Sequence, residues 1–184
     1  DQGKRAGLLL ETKEGFDELF QRLALDYISQ EAIRRRIALV TETTRNQIIA
    51  QITKGQEEGL GVDEIAKLIS DALPDISRIR GALIARTETH GAANYGADQA
   101  ARATGLKLRK EWVSAHDART RSFGVNIDEF SHRAADGQTV DMDQPFKIMK
   151  RDGTTESLAF PGDPTGSPGN VINCRCSVAH VVID

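Results

Sequence analysis

Cysteine is nearly missing from this 184-residue chain: Cys174 and Cys176 are its whole complement, one residue apart. A pair that close cannot tie distant parts of a fold together, which excludes a disulfide scaffold and makes a reducing compartment the natural reading. Aromatic residues make up only 5% of the chain, so a core must be built from Ala, Ile, Leu and Val. There is no long apolar run, so nothing in the sequence spans a membrane. There is no excess of positive charge either. At a net charge of −3 the chain has no electrostatic case for wrapping duplex DNA. A phosphate-binding surface would have to be a local patch, with Lys107, Arg109, Lys110, Arg119 and Arg121 as its candidates. The opening Asp1-Gln2-Gly3-Lys4-Arg5 has neither an initiator Met nor a signal-peptide pattern, and the expectation is a fragment of a longer chain or a processed product.

What is present changes character near Gly105. Before it, apolar residues recur at helical spacing. Leu10 to Gln30 reads as an amphipathic helix through Leu19, Phe20, Leu23, Leu25 and Ile28. Glu31 to Lys54 reads as a second, weakened by Thr41, Thr43 and Thr44 in its middle. Gly55, Gly59 and Gly61 punctuate. Val62 to Leu73 is a short helix with Ile65, Leu68, Ile69 and Leu73 on one face, ended by Pro74-Asp75. Ile76 to Thr104 is the longest helical pattern, stopped by Gly105. After Gly105 the segments shorten and Gly, Pro and Asp become frequent. Leu106 to Val113 alternates as a strand, and Phe123 to His132 reads as a short helix. Asp136-Gly137 is a turn before a strand at Gln138 to Val140. Phe146 to Met149 and Ser157 to Phe160 flank Arg151-Asp152-Gly153 as a hairpin. Pro161 to Asn170 is a turn-rich loop, and Cys176 to Ile183 is a closing strand. The fold class is α+β: a helical arm of about four helices over residues 1–105, serving as a partner-binding region, followed by a compact module of short strands over residues 106–184.

The chemistry-bearing residues gather in four places. Arg86 and Glu88, in Ile84-Ala85-Arg86-Thr87-Glu88, do not share a narrow helix face with Asn94, and the plain reading is that they anchor this helix to its neighbours. Trp112-Val113-Ser114-Ala115-His116-Asp117-Ala118-Arg119-Thr120-Arg121 carries a strand into a polar loop. There a His beside an Asp suggests a base and its orienting partner, while Asp117, Arg119 and Arg121 suit a salt-bridged turn or a site for a carboxylate or phosphate. Adjacent side chains on extended backbone point to opposite faces, which weakens the His116–Asp117 pairing. His132 precedes Asp136-Gly137. Last come Phe160-Pro161-Gly162-Asp163-Pro164 and Ile172-Asn173-Cys174-Arg175-Cys176. Cys174, Cys176 and His180, with His132, are the residue types of a zinc site, and alternation along a strand would put His180 on the face of both cysteines. The one-residue gap between the cysteines departs from common zinc modules, and small buried cysteines are the plainer reading. No cofactor is required on that reading. A nucleophilic cysteine with His132 as its base is a further arrangement these residues permit.

Taken in order, Ile84-Ala85-Arg86-Thr87-Glu88, Trp112, Asp117-x-Arg119-Thr120-Arg121, His132, Asp136-Gly137, Phe146, Phe160-Pro161-Gly162-Asp163-Pro164 and Asn173-Cys174-Arg175-Cys176 resemble the head-morphogenesis domain of phage Mu F-like minor head proteins. The similarity runs from about Leu60 to His180. The resemblance implies a few copies per virion, a place in the capsid interior or at the portal vertex, and a role in head assembly or DNA delivery. Its implied partners are the portal protein and other head proteins, with packaged DNA a further candidate and no membrane. Assembly would take place in the bacterial cytoplasm. It also implies that such domains occur fused to portal proteins or toxin domains. On this reading the chain is a structural part and not an enzyme, and Arg86, Glu88, Trp112, Asp117, Arg119, Arg121, His132, Asp163 and Asn173 form a polar lock that fixes the small module. The competing reading is a nucleic-acid hydrolase or toxin-like enzyme that uses His116, Asp117 and His132.

Overall fold

The computed structural model describes residues 19, 22–23, 25–28, 42–74, 76–124 and 128–183. Among the described residues three helices with defined bounds come before the strands: α1 (Glu42–Glu57), α2 (Val62–Ala72) and α3 (Arg78–Ala103). In α2 the three- and four-residue steps bury Ile65, Ala66 and Ile69, and the helix start is closed by Glu64, whose carboxylate accepts the Gly61 N–H at 2.9 Å. Ser77 caps α3 by accepting the Arg80 N–H, and Gly105, at φ 69°, ends it just past the capping residue Thr104. The helical core joins Ile48 and Ile52 of α1 to Ile65 and Ile69 of α2 and Ala85 and Ala92 of α3, with Tyr27 and Ile28 from the preceding segment. The N-terminal helix expected over Leu10–Gln30 is described only in part, with helical backbone at residues 25–28. The first part of the segment expected over Glu31–Lys54 lies outside the described residues.

Two three-stranded antiparallel sheets follow. The first orders β3 (Thr139–Asp141), β1 (Leu108–Val113) and β6 (Ser177–Val182), with Trp112 opposite Val178 and Lys110 opposite His180. The second orders β2 (Phe130–Ser131), β4 (Phe146–Lys150) and β5 (Thr155–Leu158), with Phe146 opposite Leu158. Alternation in β4 sends Phe146 and Ile148 inward, Lys147 and Met149 outward. A short helix, α4 (Pro168–Val171), closes the loop before β6. The module core packs Trp112, Phe130, Phe146, Ile148, Leu158, Val171 and Val178 around both cysteines. Trp112 and Phe146 meet edge to face at 5.4 Å.

Three sequence expectations change here. The helix expected over Phe123–His132 is not one: Phe130 and Ser131 are an edge strand on Lys150 and Met149, because burying Phe130 beside β4 outweighs a weak local helical pattern, while residues 125–127 lie outside the described residues. The loop over Pro161–Asn170 contains the start of α4, which the Ser167-Pro168 pair announces with Pro at the first helical turn. Lys110 cannot belong to a phosphate-binding patch. It is buried, with its ammonium donating to Ala159 O at 2.8 Å and lying over the Phe146 ring, and burial holds its pKa below the ordinary lysine value. Arg109, a second patch candidate, is paired with Asp141 at 2.8 Å.

Helices and module meet through small residues. Gly91 of α3 lies against Gly162, whose φ is 85°, and a Cβ added at Gly91 would fall 2.1 Å from Tyr27 Oη and 3.0 Å from Gly162 O. Tyr27 Oη donates to Gly162 O at 2.8 Å, and Tyr27, Tyr95 and Phe160 pack their rings 5.5 to 6.3 Å apart. Gly91→Ala is therefore expected to lower stability by about 1–3 kcal/mol, the usual cost of overpacking a tight contact. A Gly91→Ala chain with the parental denaturation midpoint would show that this approach is looser than described.

Candidate metal centre

Helix α3 presents one polar stripe at three- and four-residue spacing: Thr87, His90, Asn94 and Asp98. Each of the first three grips the segment that carries the cysteines. Thr87 Oγ1 accepts the Asn173 N–H at 2.9 Å, and Arg86 donates to Asn173 Oδ1 at 2.9 Å. These bonds hold Asn173 at φ 61°, a left-handed conformation that Asn tolerates better than most residues. Asn94 is buried, and its two amide N–H groups go to Pro161 O at 2.9 Å and Cys176 O at 3.0 Å, while its Oδ1 accepts the Val178 N–H at 3.0 Å. His90 Nε2 lies 2.6 Å from Cys176 O and so donates to it. Burial lowers the His90 pKa against that bond, with Arg175 lowering it further. Arg121 donates to Ile172 O. The bend at Asn173 thus sets the direction of the segment that follows, and the two cysteines, two positions apart, face the same point.

That point is His132. Its Nδ1 lies 3.6 Å from Cys174 Sγ and 3.4 Å from Cys176 Sγ, and all three residues are buried. The three ligand atoms lie within 4.8 Å of one another. On the far side of the ring, His132 Nε2 meets Asn170 Oδ1 at 2.7 Å, and Asn170 donates in turn to Glu156. Ser167 also donates to Glu156, through both N–H and hydroxyl. Trp112 stands edge-on to the His132 ring at 5.3 Å. Both cysteines are free thiols. A hydrogen bond from Cys176 pulls the Cys174 thiol below its usual range, while the same bond, helped by burial, pushes Cys176 up.

Of the four metal candidates read from sequence, the structure gathers His132, Cys174 and Cys176 and leaves out His180. Alternation does relate residues 176 and 180, but four residues of strand cover about 13 Å. His180 instead faces Asp98 of α3, with Nε2 3.7 Å from Oδ1, an ion-pair distance rather than a hydrogen bond. Asp98 is almost wholly buried. Burial acts to raise its carboxyl, but His180 and Arg102 outweigh it and hold the pKa below the ordinary carboxylate value.

The remaining candidates have separate roles. Asp163 is buried and ties its loop, accepting from Ala159 N, Thr165 N and Thr165 Oγ1 at 2.7 to 2.9 Å. Asp117 accepts from Arg119 N and from the Arg119 side chain in an exposed turn. His116, at φ 51°, pairs with Asp136 at 3.2 Å and not with its neighbour Asp117, while Asp136 also accepts the Ser114 N–H. With both His132 nitrogens turned to the thiols and to Asn170, the contacts of His116, Asp117 and His132 run to three different places. Glu88 is buried within α3, and Trp112 is fully buried, with no hydrogen-bond partner for Nε1 among the described residues. Sequence reading missed His90 and the clamp role of Asn94. The signal was the spacing 87, 90, 94, 98, a polar stripe on a helix whose apolar face is made of Gly and Ala.

A model of the family described as phage Mu protein F-like matches residues 46–179. The match starts earlier than the resemblance traced from about Leu60. The chain is 24% identical over 158 residues to NAD(+)–arginine ADP-ribosyltransferase EFV of Enterococcus faecalis, covering 84% of this chain and 29% of that protein. It is 24% identical over 149 residues to the uncharacterized protein YqbB of Bacillus subtilis, covering 80% of this chain and 46% of that protein. The chain thus spans less than half the length of either relative. No solved structure matches it significantly.

Two outcomes follow from this frame. Asn173→Gly keeps the left-handed backbone and loses one side-chain bond, whereas Asn173→Ala loses both, so melting curves should rank parent above Gly above Ala. An Ala variant as stable as the Gly variant would show that the bend at Asn173 carries no strain. Because the folded pKa of Asp98 is depressed, its stabilisation is present above the unfolded value near pH 4 and is lost as pH falls through the folded value. Asp98→Asn should therefore lower the melting temperature at pH 7 and flatten its decline below about pH 4. An unchanged acid limb would remove Asp98 from that role.

Proposed function

The chain belongs to the phage Mu protein F-like family, a family of phage head proteins, and on that premise we propose that it is a minor head part that docks at the portal vertex during head assembly. The family match across the helices and the module together is the observation that carries this reading. Within it, the helices provide the partner surface, and the module is fastened to them through α3. Ile79 is 85% exposed at the start of α3, with Leu83 partly exposed one turn later. Beside them Ala66, Ser70 and Ala82 line a shallow groove between α2 and α3. Ile79 and Leu83 stand one turn apart on the same helix, so one partner could cover both, with the charged Asp63, Lys67 and Arg78 at the edge of the contact. Among the described residues no helix is long and apolar enough to cross a membrane.

A pull-down of the purified chain against the portal protein encoded by the same phage or prophage tests the proposal. Specific capture that survives moderate salt is expected, and Ile79→Asp should weaken it at least tenfold while leaving the melting temperature unchanged. No capture by a portal shown to be folded would overturn the portal reading.

A further inference from the structure

Beyond that assembly role, we propose that His132, Cys174 and Cys176 bind one zinc ion that staples the two sheets of the module. His132 follows β2 in one sheet and the cysteines precede β6 in the other, so one ion would join elements that the backbone does not pair.

Distances carry the argument first. Zinc holds thiolate sulfur at about 2.3 Å and imidazole nitrogen at about 2.0–2.1 Å, so a tetrahedral site sets sulfur and nitrogen about 3.6 Å apart. The two Sγ to Nδ1 separations here are 3.6 and 3.4 Å. The ring is also turned the right way. Asn170 Oδ1 can only accept, which places the His132 proton on Nε2 and leaves the Nδ1 lone pair aimed between the sulfurs. Glu156 and Ser167 fix Asn170 in turn, which is the outer-sphere support that metal-bound histidines have. Two thiolates with an imidazole select a soft or borderline ion such as zinc over magnesium or calcium. The short gap between the cysteines is no obstacle, because side chains two residues apart on extended backbone share one face, and both Sγ atoms lie within 3.6 Å of His132 Nδ1. Binding releases the thiol protons to solvent, and the fourth position takes a water or another small ligand. All three side chains are buried, so the ion would be held inside the module, between its two sheets.

The test measures metal content on the full chain, purified under reducing conditions, loaded with zinc and desalted. One zinc per chain is expected, with a melting temperature that falls when a chelator removes it. Cys174→Ser and Cys176→Ser should each bind at least tenfold more weakly. Asn170→Ala should weaken binding about 10–100-fold by chelator competition, through loss of ring orientation alone. Should the cysteine variants fail to fold, the parent chain loaded with cobalt decides: a thiolate-to-cobalt charge-transfer band with strong tetrahedral d–d absorption supports the site. Failure to retain zinc, together with no such band while both thiols titrate as free, would overturn it. So would serine variants that bind zinc as tightly as the parent.

Discussion

The side chain of Asn94 is the interaction on which the rest of the structure depends. One amide, buried in the middle of α3, closes three backbone groups: the carbonyls of Pro161 and Cys176 and the N–H of Val178. Those groups belong to the loop before α4 and to the start of β6, segments that no sheet bond holds to the helix. A buried backbone group without a partner costs about 1–3 kcal/mol, so the amide fixes where the loop and strand must sit. Gly91 and Gly162 can then approach closely, Tyr27 can reach Gly162 O, and the cysteines arrive opposite His132. Geometry at the cysteines is therefore a consequence of the helix as much as of the strands around them.

The size of the module explains why so much of its interior is polar. With about 80 residues, a single apolar core supplies limited stability, and domains of that scale commonly add disulfides or a metal. Here only one cysteine pair exists and it is not oxidised. In its place stands a frame of buried hydrogen bonds made by Asn94, Asp163, Asn170 and His132. Lys110 is drawn into the same economy of space, its stem packed inside and its ammonium satisfied by Ala159 O and the Phe146 ring. A frame of this kind rewards one arrangement and penalises the alternatives, because each displaced member leaves an orphaned group behind.

Much of the fold was legible in the sequence wherever apolar period was strong. The helices over α2 and α3, the stop at Gly105, the strands β1 and β6 and the β4–β5 hairpin all stand within a few residues of where periodicity and turn residues put them. The edge strand at Phe130–Ser131 was not legible, since two residues carry no period and only β4 gives them their form. Lys110 was misleading for a related reason, as local alternation does not say which face of a strand will be enclosed on both sides. At the site, residue types pointed to His132, Cys174 and Cys176, but the rise of four strand residues carries His180 away from them to Asp98. Asn170 lay inside a proline- and glycine-rich loop with nothing to single it out. Its meaning comes from a contact with a residue 38 positions away, which spacing along the chain cannot show.

Native-state hydrogen exchange at the Val178 amide tests the clamp most directly, because that N–H is held by the Asn94 side chain and not by a neighbouring strand. If the clamp holds helix and module together, Val178 exchanges only through global unfolding, with the same opening free energy and denaturant dependence as the slowest amides in the middle of α3. Exchange of Val178 through a smaller, denaturant-independent opening, while α3 stays protected, would contradict the account.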